Sequence, residues 1–182
     1  MGVKVKFFRG LWHVLVEKKG VLGLYNLLKE ADRRHAILMV VLVSIGVAIA
    51  VANQLNKTAP LILLSGADYL SVFTKPQLEA MAMSFLRLHS SGANVAMAFW
   101  GLWLFPFGIL VIRSGFIPKI FGILLMIAGI AYLGASFTSL IFPVYRSVVS
   151  QFMMPLYFGE VPIIFWLLII GAKVKPLPAT AS

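Results

Sequence analysis

Residues 36–55, AILMVVLVSIGVAIAVANQL, run for twenty positions without one charged side chain. As a helix rising 1.5 Å per residue, such a run matches the roughly 30 Å hydrocarbon core of a bilayer. Three further runs read the same way: 90–112, 118–142 and 151–171. Composition agrees, because only 12% of the 182 residues are charged and 60% are hydrophobic. A water-exposed domain carries about 25% charged residues, so much of this surface must meet another solvent. The sequence predicts an all-α fold, a polytopic transmembrane helical bundle of four spans. A basic amphipathic segment over 1–34, lying on the membrane surface, precedes the bundle over 35–172, and a polar tail covers 173–182.

Local signals refine the connections. Residues 58–73 are too short and interrupted for a span; they continue the first helix past a kink at Pro60 or lie at the interface. Thr74 and Gln77 form a capping box with Pro76 in the first turn, and the helix they start runs on into the second span. The RSGF turn puts Gly115 where positive φ is needed. Pro106 should kink the second span, and Pro118 opens the third. No internal repeat of the inverted-transporter kind is evident.

The net charge of +10 could suggest nucleic acid, but its distribution argues for membrane orientation instead. Twelve of the sixteen Lys and Arg fall on the side of the N-terminus, the 113–119 turn and the C-terminus. The other side holds four: Lys57, Lys75, Arg87 and Arg146. Positive charge prefers the cytoplasm, so the expectation is a multi-pass protein of the cytoplasmic (inner) membrane with both termini inside. The N-terminus lacks the pattern of a signal peptide, and Lys6 stands where a myristoylation motif wants Ser or Thr.

The quoted blocks also carry a resemblance. LYNLLKEADRRHAILMVV, LLSGADYLSVF, LRLHSSG, FWGLWLFPFGILVIRSGFIPKIFGILL, SFTSLIFP and GEVPIIFWLLIIGAK together resemble a family of bacterial integral membrane proteins, domain of unknown function 4386. The resemblance covers about 24–173, and FWGLWLFPFG and RSGF are its specific part. It implies a multi-helix inner-membrane protein and no reaction. Members usually carry further spans before the point where this chain begins, so the resemblance implies a shortened form with the basic stretch Met1–Gly23 in their place.

Glu160 is the residue most in need of explanation. It lies in the fourth span, near mid-membrane or in its outer half, where a charge costs about 2.5–3.5 kcal/mol on insertion scales. A carboxyl there finds a partner or holds a proton. Pro162 offers no N–H to the carbonyl of Phe158, so that carbonyl should be free beside Glu160. The bland reading is a hydrogen bond that fixes helix packing; the sharper one is an ion, proton or ligand site. Polar residues of the other spans collect toward the same outer side: Asn53 and Gln54, Arg87, His89 and Asn94, then Ser136, Thr138 and Ser139. This suggests an outward-opening polar pocket with Glu160 at its floor, with Arg87 as the first candidate partner and His89 the second. His89 and Asn94 fall on different helix faces, so they should not share a ligand.

Trp100 and Trp103 lie in mid-span and so are not belt residues. Core packing is favoured for them over a stacking wall for a flat ligand such as a quinone or haem. With no cysteine, thiolate metal sites and iron–sulfur clusters are excluded. No HExxH, GxSxG, Walker or CxxC motif occurs, so no cofactor, metal or catalytic residue is assigned. The expectation is a module that binds or moves a small molecule, ion or proton through the pocket around Glu160, alone or as a unit of a homo-oligomer. A non-catalytic accessory subunit, docking a membrane partner, a cytoplasmic partner or anionic lipid, is the second reading. A membrane enzyme acting on a lipid or prenyl chain ranks last, because nothing like a nucleophile–base pair supports it.

Overall fold

A computed structural model describes residues 20–169. The expected surface segment over the first nineteen positions, the last residues of the fourth span and the polar tail lie outside the described residues. The described chain is helical, with no strand among its residues. Its helices are α1 (Gly20–Leu28), α2 (Arg33–Asn53), α3 (Leu55–Leu63), α4 (Lys75–Ser114), α5 (Lys119–Ile141), α6 (Arg146–Met153) and α7 (Val161–Ile169). Four stretches are long and apolar enough to cross a membrane: Arg33–Leu63, Lys75–Ser114, Lys119–Ile141 and Pro143–Ile169. Large apolar side chains stay exposed along them, such as Ile37, Leu38, Val41 and Ile45 on α2 and Ile120, Ile123, Ile127 and Ile130 on α5. Contiguous apolar surface on this scale fits lipid, not water.

The α4–α5 hairpin sets the register of the whole molecule. Gly115, at φ 74°, ends α4 in the left-handed conformation that glycine adopts without penalty. From there the helices run antiparallel, and opposed residues are equidistant in sequence from Gly115. A Cβ built on Gly108 would lie 2.7 Å from the Gly122 carbonyl oxygen, and one on Gly101 3.0 Å from that of Gly129. Two turns further, the Ser136 hydroxyl donates to the backbone carbonyl of Asn94. These positions recur every seven residues, so they form one stripe along each helix. Small side chains there let the two backbones approach closely, which favours helix association where no hydrophobic force separates protein from lipid.

The same register shows how far α4 outlasts its neighbour. α5, with 23 residues, is about 34 Å long, whereas α4, with 40, is about 60 Å. The end of α5 at Ile141 falls level with His89, so the α4 stretch 75–88 runs about 20 Å beyond it. There it packs beside α3, which continues α2 after a break at Gln54 and passes through Pro60 without ending. α4 begins as expected: Gln77 Oε1 accepts from the Thr74 backbone N–H at 2.9 Å. It also runs unbroken through Pro106.

At the opposite end, Asp32 caps α2, accepting from the backbone N–H groups of Arg34 at 3.0 Å and His35 at 3.2 Å. Its other oxygen takes the His35 ring nitrogen Nδ1 at 2.8 Å and the guanidinium of Arg113 from the last turn of α4. The start of α2 and the α4–α5 turn therefore share one end of the bundle. The apolar core sits toward that end, with Met39, Val43, Leu104, Phe107, Leu110, Leu125 and Ile163 buried together. Leu28 of α1 is buried in the same cluster, and Val21, Leu24 and Leu27 pack against it.

The fourth apolar stretch departs most from expectation. Where one α-helix is expected over 151–171, the chain makes α6, a 3₁₀ helix over Met154–Glu160, and then α7. Pro155 and Pro162 each lack the N–H that an α-helix needs at their position. With two donors missing so close together, the chain tightens to i→i+3 bonds over seven residues. This corrects the expected free carbonyl at Phe158: the Val161 N–H bonds to it. Pro162 cannot reach back four residues, but in 3₁₀ geometry Val161 reaches back three.

Candidate functional site

The 3₁₀ segment lies against α5. A Cβ on Gly159 would come within 2.7 Å of the Leu124 carbonyl oxygen, so glycine is what lets the segment approach α5 this closely. Glycine at 159 thus brings the next residue, Glu160, toward the α5 surface. One turn of α5 beyond Ala128, the Tyr132 hydroxyl donates to Glu160 Oε1 at 2.7 Å. Tyr157, one 3₁₀ turn before Glu160, stacks on Tyr132 with ring centroids 4.5 Å apart and planes 23° from parallel. Three side chains from two elements thus form one unit: a carboxyl, its phenolic donor and a second aromatic ring.

The partner of Glu160 is therefore Tyr132 and not Arg87 or His89, and the register explains why. Tyr132 is level with Ala98 on α4, about 16 Å down the helix from Arg87. Arg87 is exposed on the part of α4 that runs beyond α5. Among the described residues Glu160 makes this one hydrogen bond and enters no ion pair. Its other oxygen, Oε2, receives no donor among the described residues, and a carboxyl with one oxygen unused retains capacity to bind.

The remaining polar candidates make a different structure. Asn53 Nδ2 donates to the His89 backbone carbonyl at 2.8 Å, and Asn53 Oδ1 accepts from Asn56 at 2.9 Å. His89 Nδ1 lies 3.1 Å from the Asn53 carbonyl. A carbonyl only accepts, so Nδ1 carries the proton in this contact. A Cβ on Gly92 would fall 2.3 Å from Asn53 Oδ1, so glycine at 92 makes room for the amide. His89 thus fastens α2 to α4. Asn94 is buried, and its backbone carbonyl receives Ser136. Trp103 is buried and stacks on Phe107 at 5.4 Å within the apolar core. Trp100 packs where α2 comes close at Gly46. Of the six sequence candidates, Glu160 alone joins the carboxyl–tyrosine unit.

Tyr132 and Tyr157 were not singled out from the sequence. Tyr132 had one usable signal: it is the only residue near the middle of the third apolar run that can donate a hydrogen bond from its side chain. Among the described residues, no group of three His, Cys, Asp or Glu gathers in a way that could hold a metal ion.

The family model for a domain of unknown function, DUF4386, matches residues 20–171. An uncharacterized protein of Archaeoglobus fulgidus is 27% identical over 167 residues, covering 88% of this chain and 96% of that protein. No solved structure matches. With the family model spanning all four apolar stretches, this chain belongs to the DUF4386 family.

Proposed function

We propose that the protein is an integral membrane module that binds or moves a proton, ion or small molecule at Glu160. The single observation that carries this reading is the state of the carboxyl: one oxygen held by Tyr132, the other without a donor or cation among the described residues. An ionisable group at such depth is costly and is a functional candidate by default. A group serving only to fasten two helices would be better satisfied, or replaced by a neutral amide.

The membrane reading is supported by the four apolar stretches and their exposed apolar faces. The cytoplasmic assignment of the termini is supported by charge. At the end where Asp32 meets Arg113, the described chain exposes Arg33, Arg34 and Lys119 as well. Positive charge favours the inner face, and the expected orientation has both termini there.

Infrared difference spectra of the purified protein, titrated with pH, test the proposal. Glu160 should contribute a carboxyl band that appears and disappears with pH and is missing in Glu160→Gln. Glutamine can still accept from Tyr132, so this variant should keep its helical circular dichroism and its elution as a folded species. Identical titrating carboxyl bands in the native protein and in Glu160→Gln would falsify the reading and leave Glu160 as a fastener.

A further inference from the structure

We propose that the ligand of the Glu160 site is a hydrophobic monovalent organic cation, which exchanges there for a proton. The inference rests on the functional reading of Glu160 above and names the class of ligand.

An anion would meet a carboxyl and two tyrosine rings with no basic side chain paired to them among the described residues; Arg87 is far up α4 and His89 is engaged with α2. A divalent metal ion is held by several His, Cys or carboxylate ligands, and the described residues gather no group of three. A small inorganic cation would face the same shortage. An organic cation needs neither. Its charge is answered by one carboxylate, and its apolar body by aromatic faces, which attract cations through the ring quadrupole. Tyr157 carries such a ring three residues before Glu160; one of its faces stacks on Tyr132, and the residue is only partly buried.

Access points the same way. Glu160 and Tyr157 are only partly buried, in a segment whose Met154 and Phe158 are 59% and 61% exposed, which places the site near the apolar perimeter. A ligand already dissolved in lipid reaches it sideways. Charge balance then dictates the exchange. The protonated carboxyl is neutral; when the cation arrives, the carboxyl O–H proton leaves to water and the carboxylate pairs with the cation. One positive charge enters as one leaves, so the site stays neutral throughout.

Tetraphenylphosphonium is a suitable probe, followed by isothermal titration calorimetry on the full chain in detergent. Binding should saturate at one site and tighten about tenfold per pH unit while Glu160 is still protonated. About one proton should be released per cation bound, read with a pH dye in weak buffer. Glu160→Gln should abolish saturable binding, whereas Glu160→Asp should retain it in weakened form. Tyr157→Leu should weaken binding roughly tenfold, and Tyr157→Phe, which keeps the ring, should not. Binding that survives Glu160→Gln, or shows no dependence on pH, overturns the inference. If the probe fails to bind while the carboxyl band of Glu160 still titrates, this inference falls and the broader function stands. If neither is seen, both fall.

Discussion

α5 is held on two sides by two different kinds of contact. Against α4 it meets glycine with glycine, two regular helices locked in a register centred on Gly115. Against the last segment it meets an irregular backbone, a tyrosine pair and a carboxyl. Burial differs accordingly: half of the most apolar window of α4 is buried, but only 6% of that of Pro143–Ile169. The first contact is rigid because both surfaces are backbone, which cannot move aside. The second has one backbone approach, Gly159 against the Leu124 carbonyl, and otherwise depends on a few side chains and a segment that has already given up α-helical geometry. A scaffold and a movable partner would divide the work in this way, with the candidate site on the movable side.

The sharpest way to break that contrast uses two glycines with equal clearance. A Cβ on Gly108 or on Gly159 would lie 2.7 Å from a carbonyl oxygen of α5. Gly108→Ala should destabilise by about 1–3 kcal/mol, the usual cost of overpacking, because neither helix can yield. Gly159→Ala should cost less than half as much, since its segment can shift. Unfolding in mixed detergent measures both, and equal losses would erase the proposed difference in stiffness.

Next in size is Tyr132→Phe, which keeps the stacked ring but removes the hydroxyl from Glu160. Hydrogen bonds between membrane helices are worth about 0.6–1.7 kcal/mol, and a loss in that range is expected in the same assay. A much larger loss would make the second contact as structural as the first.

The far end of the scaffold should respond to acid. The His35 backbone N–H, and after it the His35 ring, hold the Asp32 carboxyl below its ordinary value of 3.8. A lowered value means that stabilisation is complete above about pH 4 and is lost as pH falls through the folded-state value. The thermal midpoint of the native protein should therefore drop below pH 4 more steeply than that of Asp32→Asn, whose side chain can still cap α2 but does not titrate. Identical slopes would remove Asp32 from the acid response.

The smallest effect is expected at Gly134, where the nearest atom to a built Cβ is the end of Met153 at 3.8 Å. Gly134→Ala should leave stability within about 0.5 kcal/mol, as for changes away from tight contacts. A large effect would show that the second contact is denser than its geometry implies.

Much of this was legible in the chain itself. Apolar runs of spanning length, the Thr74–Gln77 start of α4 and the Gly115 turn are local properties, set by composition, capping and glycine conformation. The anomaly of Glu160 was equally plain, because burying a carboxyl is costly wherever the run folds. The 3₁₀ segment was half legible: Pro155 and Pro162 mark missing donors, yet only the folded chain shows that the Val161 N–H takes the Phe158 carbonyl. What answers Glu160 could not be read at all. That depends on the depth and rotation of two helices relative to each other, which the sequence encodes only through packing. Glycine at 159 admits the segment to α5, and the register of α5 presents Tyr132 there, leaving Arg87 too far along its helix to compete.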